Sequence, residues 1–204
     1  MISRRSFFAA IVAAGAAMPP LAVAAAPAGA PQATISSFYD TLLATMKNGP
    51  VLGFQGRRKE LAPAIHRAFD LPLMTRLMVG PQWAGLTPEQ QQQLVAAFSE
   101  FSIATYASRF DDYSGERFEV EPTTTTTTSG IIVHSKLVKA EGDSVQLDYL
   151  MHDTDAGWQI VDVYLSGTVS ELATRRSEFS SIMRRGGADA LVDVLQKKAA
   201  ALRS

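Results

Sequence analysis

The chain has 204 residues, 19 basic and 20 acidic side chains, a net charge of −1 and no cysteine. That length suits one domain with a sizeable core, and 47% hydrophobic against 19% charged residues is a globular composition. The missing cysteines exclude disulfides, thiol nucleophiles, iron–sulfur clusters and cysteine zinc sites, and the balanced charge leaves no electrostatic footprint for nucleic acid.

Residues 1–24 read as a secretory signal peptide. Arg4 and Arg5 give a charged start, Phe7–Met18 is an apolar run of 12 residues, and Ala22-Val23-Ala24 is a small-x-small cleavage site. A membrane-spanning helix needs roughly 20 apolar residues, so this run is too short. Ser3-Arg4-Arg5-Ser6-Phe7 resembles a twin-arginine export motif, with the general secretory route as the alternative. Cleavage after Ala24 leaves an Ala/Pro/Gly tether at 25–31, expected to be disordered, and a single domain at 32–204.

Helices come first in that domain. Ile35, Phe38, Tyr39, Leu42, Leu43 and Met46 fall on one helical stripe, and Asn48-Gly49-Pro50 stops it. Leu61, Ile65 and Phe69 mark a second helix over 57–69, strained early by Pro63. Asp70 can cap a third through about Val79, ended by Gly80-Pro81. Thr87-Pro88-Glu89-Gln90 starts a fourth with a cap, a proline at the first position and Gln three residues on. This helix carries Leu94, Phe98, Phe101, Tyr106, Phe110 and Tyr113 along one side.

From Glu116 the period changes to two. Phe118 and Val120 lead into six threonines, Thr123–Thr128, whose β-branching suits a strand. Ile131 to Leu137, Val145 to Met151 and Trp158 to Leu165 follow, joined by turns at Glu141-Gly142-Asp143 and Asp155-Ala156-Gly157. Short turns imply antiparallel pairing. The last strand is apolar in both phases, which predicts a central strand covered on both faces. Thr168-Val169-Ser170-Glu171 reads as a capping box for a helix with Val169, Leu172, Phe179, Ile182 and Met183 on its stripe. Gly186-Gly187 ends it, and a final helix carries Leu191, Val194, Leu195 and Leu202. The fold class is α+β: an antiparallel sheet of about four strands wrapped by helices.

Catalytic motifs are missing: there is no G-x-S-x-G, Walker loop, G-x-G-x-x-G or H-E-x-x-H. His134 and His152 could meet across a hairpin, but neighbouring carboxylates at ligand spacing are not evident, so they read as solvated strand histidines with no metal. The acidic run Asp111 to Glu116 reads as a solvated helix end. Asp162, among Ile160, Val161, Val163 and Tyr164, is either a structural acid paired with an arginine or backbone amides, or a tuned general base. The pairs Arg175-Arg176 and Arg184-Arg185 are either a solvated face or a contact for an anionic headgroup or protein.

Several stretches together resemble the MlaC family of periplasmic lipid carriers, also called toluene-tolerance or auxiliary ABC-transport proteins. Phe69-Asp70-Leu71-Pro72-Leu73-Met74-Thr75-Arg76, then Val79-Gly80 and Trp83, resembles the family's F-D-x-x-x-M-x-R…G-x-x-W order. Phe38-Tyr39, Leu86-Thr87-Pro88-Glu89-Gln90, Phe98, Tyr106 through Tyr113, Asp148-Tyr149-Leu150-Met151, Gly157-Trp158-Gln159-Ile160-Val161-Asp162-Val163, Gly167-Thr168-Val169-Ser170 and Arg176-Ser177-Glu178-Phe179…Gly187 continue it over about 35–195. The Ser170–Phe179 stretch is most similar to the hopanoid-biosynthesis-associated branch, HpnM.

This resemblance implies a deep apolar cavity between the sheet and helices, with acyl chains inside and the polar head at the mouth. It implies a monomeric, non-enzymatic periplasmic carrier of phospholipid or hopanoid, without cofactor, served by an inner-membrane ABC-type transporter and an outer-membrane complex. The wall residues expected on the inward faces are Met74, Leu77, Phe98, Phe101, Phe110, Val133, Leu147, Tyr149 and Ile160. The rival readings are a periplasmic adaptor whose stripes are only core, and a small α+β enzyme with Asp162 or Asp148 as base.

Overall fold

A computed structural model describes residues 30–202. The expected signal peptide, and the tether up to residue 29, lie outside the described residues. The first helix, α1 (Pro31–Lys47), begins at the last residue assigned to the tether. Proline suits that position because the first helical N–H has no intrahelical partner to lose.

Helix α2 (Gly49–Ala68) starts earlier than residue 57, so Gly49-Pro50 opens this helix as well as closing α1. Gly53, at φ 58°, interrupts it after one turn, a conformation that strains any residue with a Cβ. Pro63 is exposed and the helix runs through it. Helix α3 (Leu71–Val79) has the expected cap, the Asp70 carboxylate accepting from the Leu73 amide at 2.9 Å. After a 3-10 segment (Gly80–Gly85), α4 (Pro88–Arg109) opens on the full Thr87/Gln90 capping box. Tyr113, assigned to this helix, lies beyond its end and is exposed.

The sheet is an open antiparallel meander of five strands in sequence order: β1 (Arg117–Thr127), β2 (Gly130–Val138), β3 (Ser144–Thr154), β4 (Gly157–Leu165) and β5 (Val169–Ser170). The threonine run lies mostly in β1, an edge strand, and its register shifts between Val120 and Thr124 around Pro122. A missing N–H is tolerated at such an edge irregularity. The fifth strand was not expected. Val169 and Ser170 pair with Leu165 and Tyr164, so Val169 is half exposed and off the helical stripe. Ser170, not Thr168, caps α5 (Glu171–Ala201), accepting from the Ala173 amide. Gly187, at φ 68°, breaks α5 at the expected boundary.

Strand β4 is buried on both faces from Ile160 to Val163, as expected. It is not central: only the two-residue β5 lies beyond it. Its edge is also met by α2 and α3, where the Asp70 amide donates to the Ile160 carbonyl at 2.9 Å. Alternation turns Val133, Ser135, Leu147, Tyr149 and Met151 to the helices, and all five are buried.

Candidate functional site: an apolar cavity under the helices

A cavity of about 130 Å³ opens between the inward face of the sheet and helices α1 to α5. Its floor is Phe118, Leu147, Tyr149, Val163 and Leu165, and its roof is Tyr39, Leu42, Ile65, Phe69, Leu71, Met74 and the stripe of α4. That stripe comprises residues 98, 101, 102, 105, 106, 109 and 110, the i, i+3, i+4 spacing that keeps one helical face. It grades from Phe98 and Phe101 through Ser102 and Thr105 to Arg109. Both hydroxyls donate to carbonyls four residues back, so they add little polarity.

Charge is confined to the rim. Arg109 closes α4, and α5 supplies Glu171, Leu172 and Arg175. The Arg175 guanidinium lies 5.0 Å from the Phe101 ring centroid and pairs with Glu178 at 3.1 Å and Glu171 at 3.5 Å. Partial burial pushes the Glu178 carboxyl up, but Lys198 and Arg175 outweigh it and hold its pKa below the usual value. Arg175 is therefore a paired rim residue and not part of a solvated face. Its neighbour Arg176 is exposed. With Arg184, Gln82, Ser177 and Ser180 it lines a separate, shallower groove.

Two polar features interrupt the apolar wall. The Tyr39 hydroxyl lies 2.6 Å from the Ser135 hydroxyl and 3.0 Å from that of Tyr149, and Ser135 donates to the Leu147 carbonyl at 2.6 Å. Three hydroxyl protons serve three contacts, so this buried chain is complete. Burial pushes Tyr39 up to about 12, partly offset by its two hydrogen bonds. Tyr149 is raised well above 10, first by burial and then by its neighbours Tyr39 and Tyr106. The other feature is Tyr106, whose hydroxyl has no hydrogen-bond partner among the described residues. Its ring is held edge-on to Phe38 and Phe69 and stacked on Phe110 at 5.7 Å.

Of the expected wall residues, Met74, Phe98, Phe101, Phe110, Leu147 and Tyr149 line the cavity. Three do not. Leu77 is 41% exposed on the far side of α3, while Val133 and Ile160 are fully buried in solid packing. Tyr39, Leu42, Ile65, Phe69, Leu71, Phe118, Val163, Leu165 and Leu172 were missed as wall residues. Most sit on recognised apolar stripes, so periodicity marked the faces but not the positions that meet open space.

Asp162 is a pinned structural acid. One oxygen accepts from the Val163 and Leu172 amides at 2.8 and 3.0 Å, the other from the Ser170 hydroxyl at 2.5 Å. Amides and a hydroxyl hold it, with no arginine among its partners in the described residues. Asp148 lies 3.1 Å from His134 Nδ1, and His134 Nε2 lies 2.9 Å from the Thr125 hydroxyl. That order is the connectivity of a nucleophile–base–orienter relay. It sits on the outer face of the sheet, however, and lines neither the cavity nor the groove. His152 pairs instead with Asp70 at 3.0 Å. The two histidines thus serve separate carboxylates and are not merely solvated. Among the described residues, no three metal-ligating side chains converge.

The family model for the MlaC protein matches residues 36–197. The fold is also similar to that of a phospholipid-binding protein from Ralstonia solanacearum, solved in complex with a phospholipid. The TM-score is 0.73 at 29% identity, over 85% of this chain and 98% of that one.

Proposed function

The chain belongs to the MlaC family, and we propose that it is a non-enzymatic periplasmic carrier that takes a phospholipid into the cavity under α4. The observation that carries this reading is a cavity apolar in depth and charged only at its rim, which matches a molecule with hydrocarbon chains and a polar head. Each methylene removed from water is worth ~0.8 kcal/mol, so a diacyl lipid with about 30 of them scarcely crosses an aqueous space unaided. A carrier needs only a dry slot and a way to surrender its load.

The cavity has room for about ten water-sized groups. That is near a third of the methylenes of a diacyl lipid, so loading must part the walls. The N-terminal half of α5 is the wall best placed to move, since Gly167 and Gly187 flank it at positive φ. Hopanoid is the alternative cargo, supported by the similarity of the Ser170–Phe179 stretch to the HpnM branch. That stretch supplies rim residues Glu171, Leu172 and Arg175. Twin-arginine export, an inner-membrane ABC-type transporter and an outer-membrane acceptor complete the proposal.

Native mass spectrometry of protein purified from a bacterial periplasm tests it. A co-purifying mass that fragments as a phospholipid is expected. A hopanoid mass would transfer the assignment to that cargo, and protein that stays empty after incubation with lipid vesicles would overturn the carrier reading.

A further inference from the structure

We infer that Tyr106 is an oxygen-recognition subsite inside the cavity, donating its hydroxyl to an ester carbonyl of an acylated lipid. The inference rests on the carrier reading and deepens it.

Every other hydroxyl on the cavity wall is engaged. Ser102 and Thr105 bond the backbone of their own helix, and Tyr39 and Tyr149 share a completed chain with Ser135. Tyr106 alone among these keeps a free proton. Unlike the enclosed and unpartnered Arg58 Nε, the Tyr106 hydroxyl keeps surface open to the cavity, so its free proton is available to a partner that arrives from outside the chain. Burial, the largest influence, holds the phenol well above its ordinary pKa of 10, so it remains a donor throughout the physiological range. Its aim is fixed, because Phe38, Phe69 and Phe110 clamp the ring.

Chemistry identifies the ligand atom. Along α4, Tyr106 stands about 4.5 Å from Arg109, at ~1.5 Å per residue, while Arg175 lies over the Phe101 ring on its other side. Apolar rings surround the phenol and the charged groups lie to either side, so its natural partner is a neutral acceptor, and the ester carbonyl that joins acyl chain to head group is the one an acylated lipid offers. Ether-linked chains present only a weak acceptor in its place. A neutral hydrogen bond of this kind is worth about a threefold to tenfold preference.

The test offers the full mature protein vesicles containing equal parts of diester and diether phosphatidylglycerol with matched chains, then measures bound lipids by mass spectrometry. Wild type should be enriched in the diester by about threefold to tenfold. Tyr106→Phe, which removes one oxygen and keeps the ring, should fold normally and take both lipids in the vesicle ratio. Ser135→Ala, behind the wall, should lower the melting temperature yet keep the preference. Equal uptake by wild type, as would follow if water satisfied the phenol, overturns the inference, as does a preference retained in Tyr106→Phe. Capture of neither lipid overturns the carrier reading, and this inference falls with it.

Discussion

The Asp162 carboxylate on β4 accepts the Leu172 amide in the first turn of α5 at 3.0 Å. Leu172 is also a cavity wall residue. One buried acid therefore fastens a sheet strand to the helix that bounds the mouth.

That fastening is structural, so its loss should appear as stability. Asp162→Asn exchanges an acceptor of three donors for an amide that cannot accept at both oxygen positions. A loss of about 1–3 kcal/mol is expected. Ser170→Ala, which removes both the α5 cap and one Asp162 contact, should cost about 1 kcal/mol or more. Thermal melting checks both. An Asp162→Asn protein that melts like wild type but loses a measurable catalytic turnover would favour the enzyme reading.

Leu147 and Val133 are paired test positions because the structure separates them. Leu147 meets the cavity, whereas Val133 is fully enclosed behind the wall. Leu147→Trp should push its added volume into open space, leave the melting temperature nearly unchanged and exclude lipid. Val133→Trp should overpack the core and lose about 1–3 kcal/mol or more. Melting temperature and lipid content after purification read the two effects independently. Equal destabilisation of both variants would mean that no usable space adjoins Leu147.

Alkaline pH should unfold the protein through its buried tyrosines. Tyr39 binds its proton more tightly folded, with a pKa pushed up to about 12, than unfolded at 10.0. Its contribution is therefore fully present below pH 10 and is lost as the pH rises from 10 toward 12. The slope is about 1.4 kcal/mol per pH unit for this group. Tyr106 and Tyr149 are shifted the same way. Stability measured by denaturant titration should fall over that window, with tyrosinate absorbance appearing together with unfolding. Tyrosinate formed in a still-folded chain near pH 10 would contradict the burial of these phenols.

Export gives a cellular prediction. Arg4→Lys combined with Arg5→Lys should leave uncleaved precursor in the cytoplasm if the twin-arginine machinery reads this segment. Normal processing of the double variant would assign the general secretory route, and a mature N-terminus other than Ala25 would move the proposed cleavage site.

Local pattern by itself determined the elements. The 3.6-residue stripes of α1 and α4, the change to period two at Glu116, the Asp70 and Thr87 caps and the break at Gly187 all depend on neighbours in sequence, and all recur in the fold. Pattern was less secure where one signal had two local uses. Gly49-Pro50 both stops α1 and starts α2, and Val169-Ser170 is at once a strand and the approach to a cap. The family signature likewise needed only the order of motifs along the chain.

Tertiary structure alone decided which apolar side chains meet open space. Val133, Leu147 and Ile160 look alike in sequence, since each is an inward strand residue. Only Leu147 borders the cavity, because the helices close tightly over the other two. Partner choice was equally non-local: Asp162 finds Leu172, His134 finds Asp148, and the Tyr106 hydroxyl finds no hydrogen-bond partner among the described residues. Periodicity records which face a residue occupies. Whether that face meets atoms or a void depends on the separation of elements far apart in sequence, which no local pattern encodes.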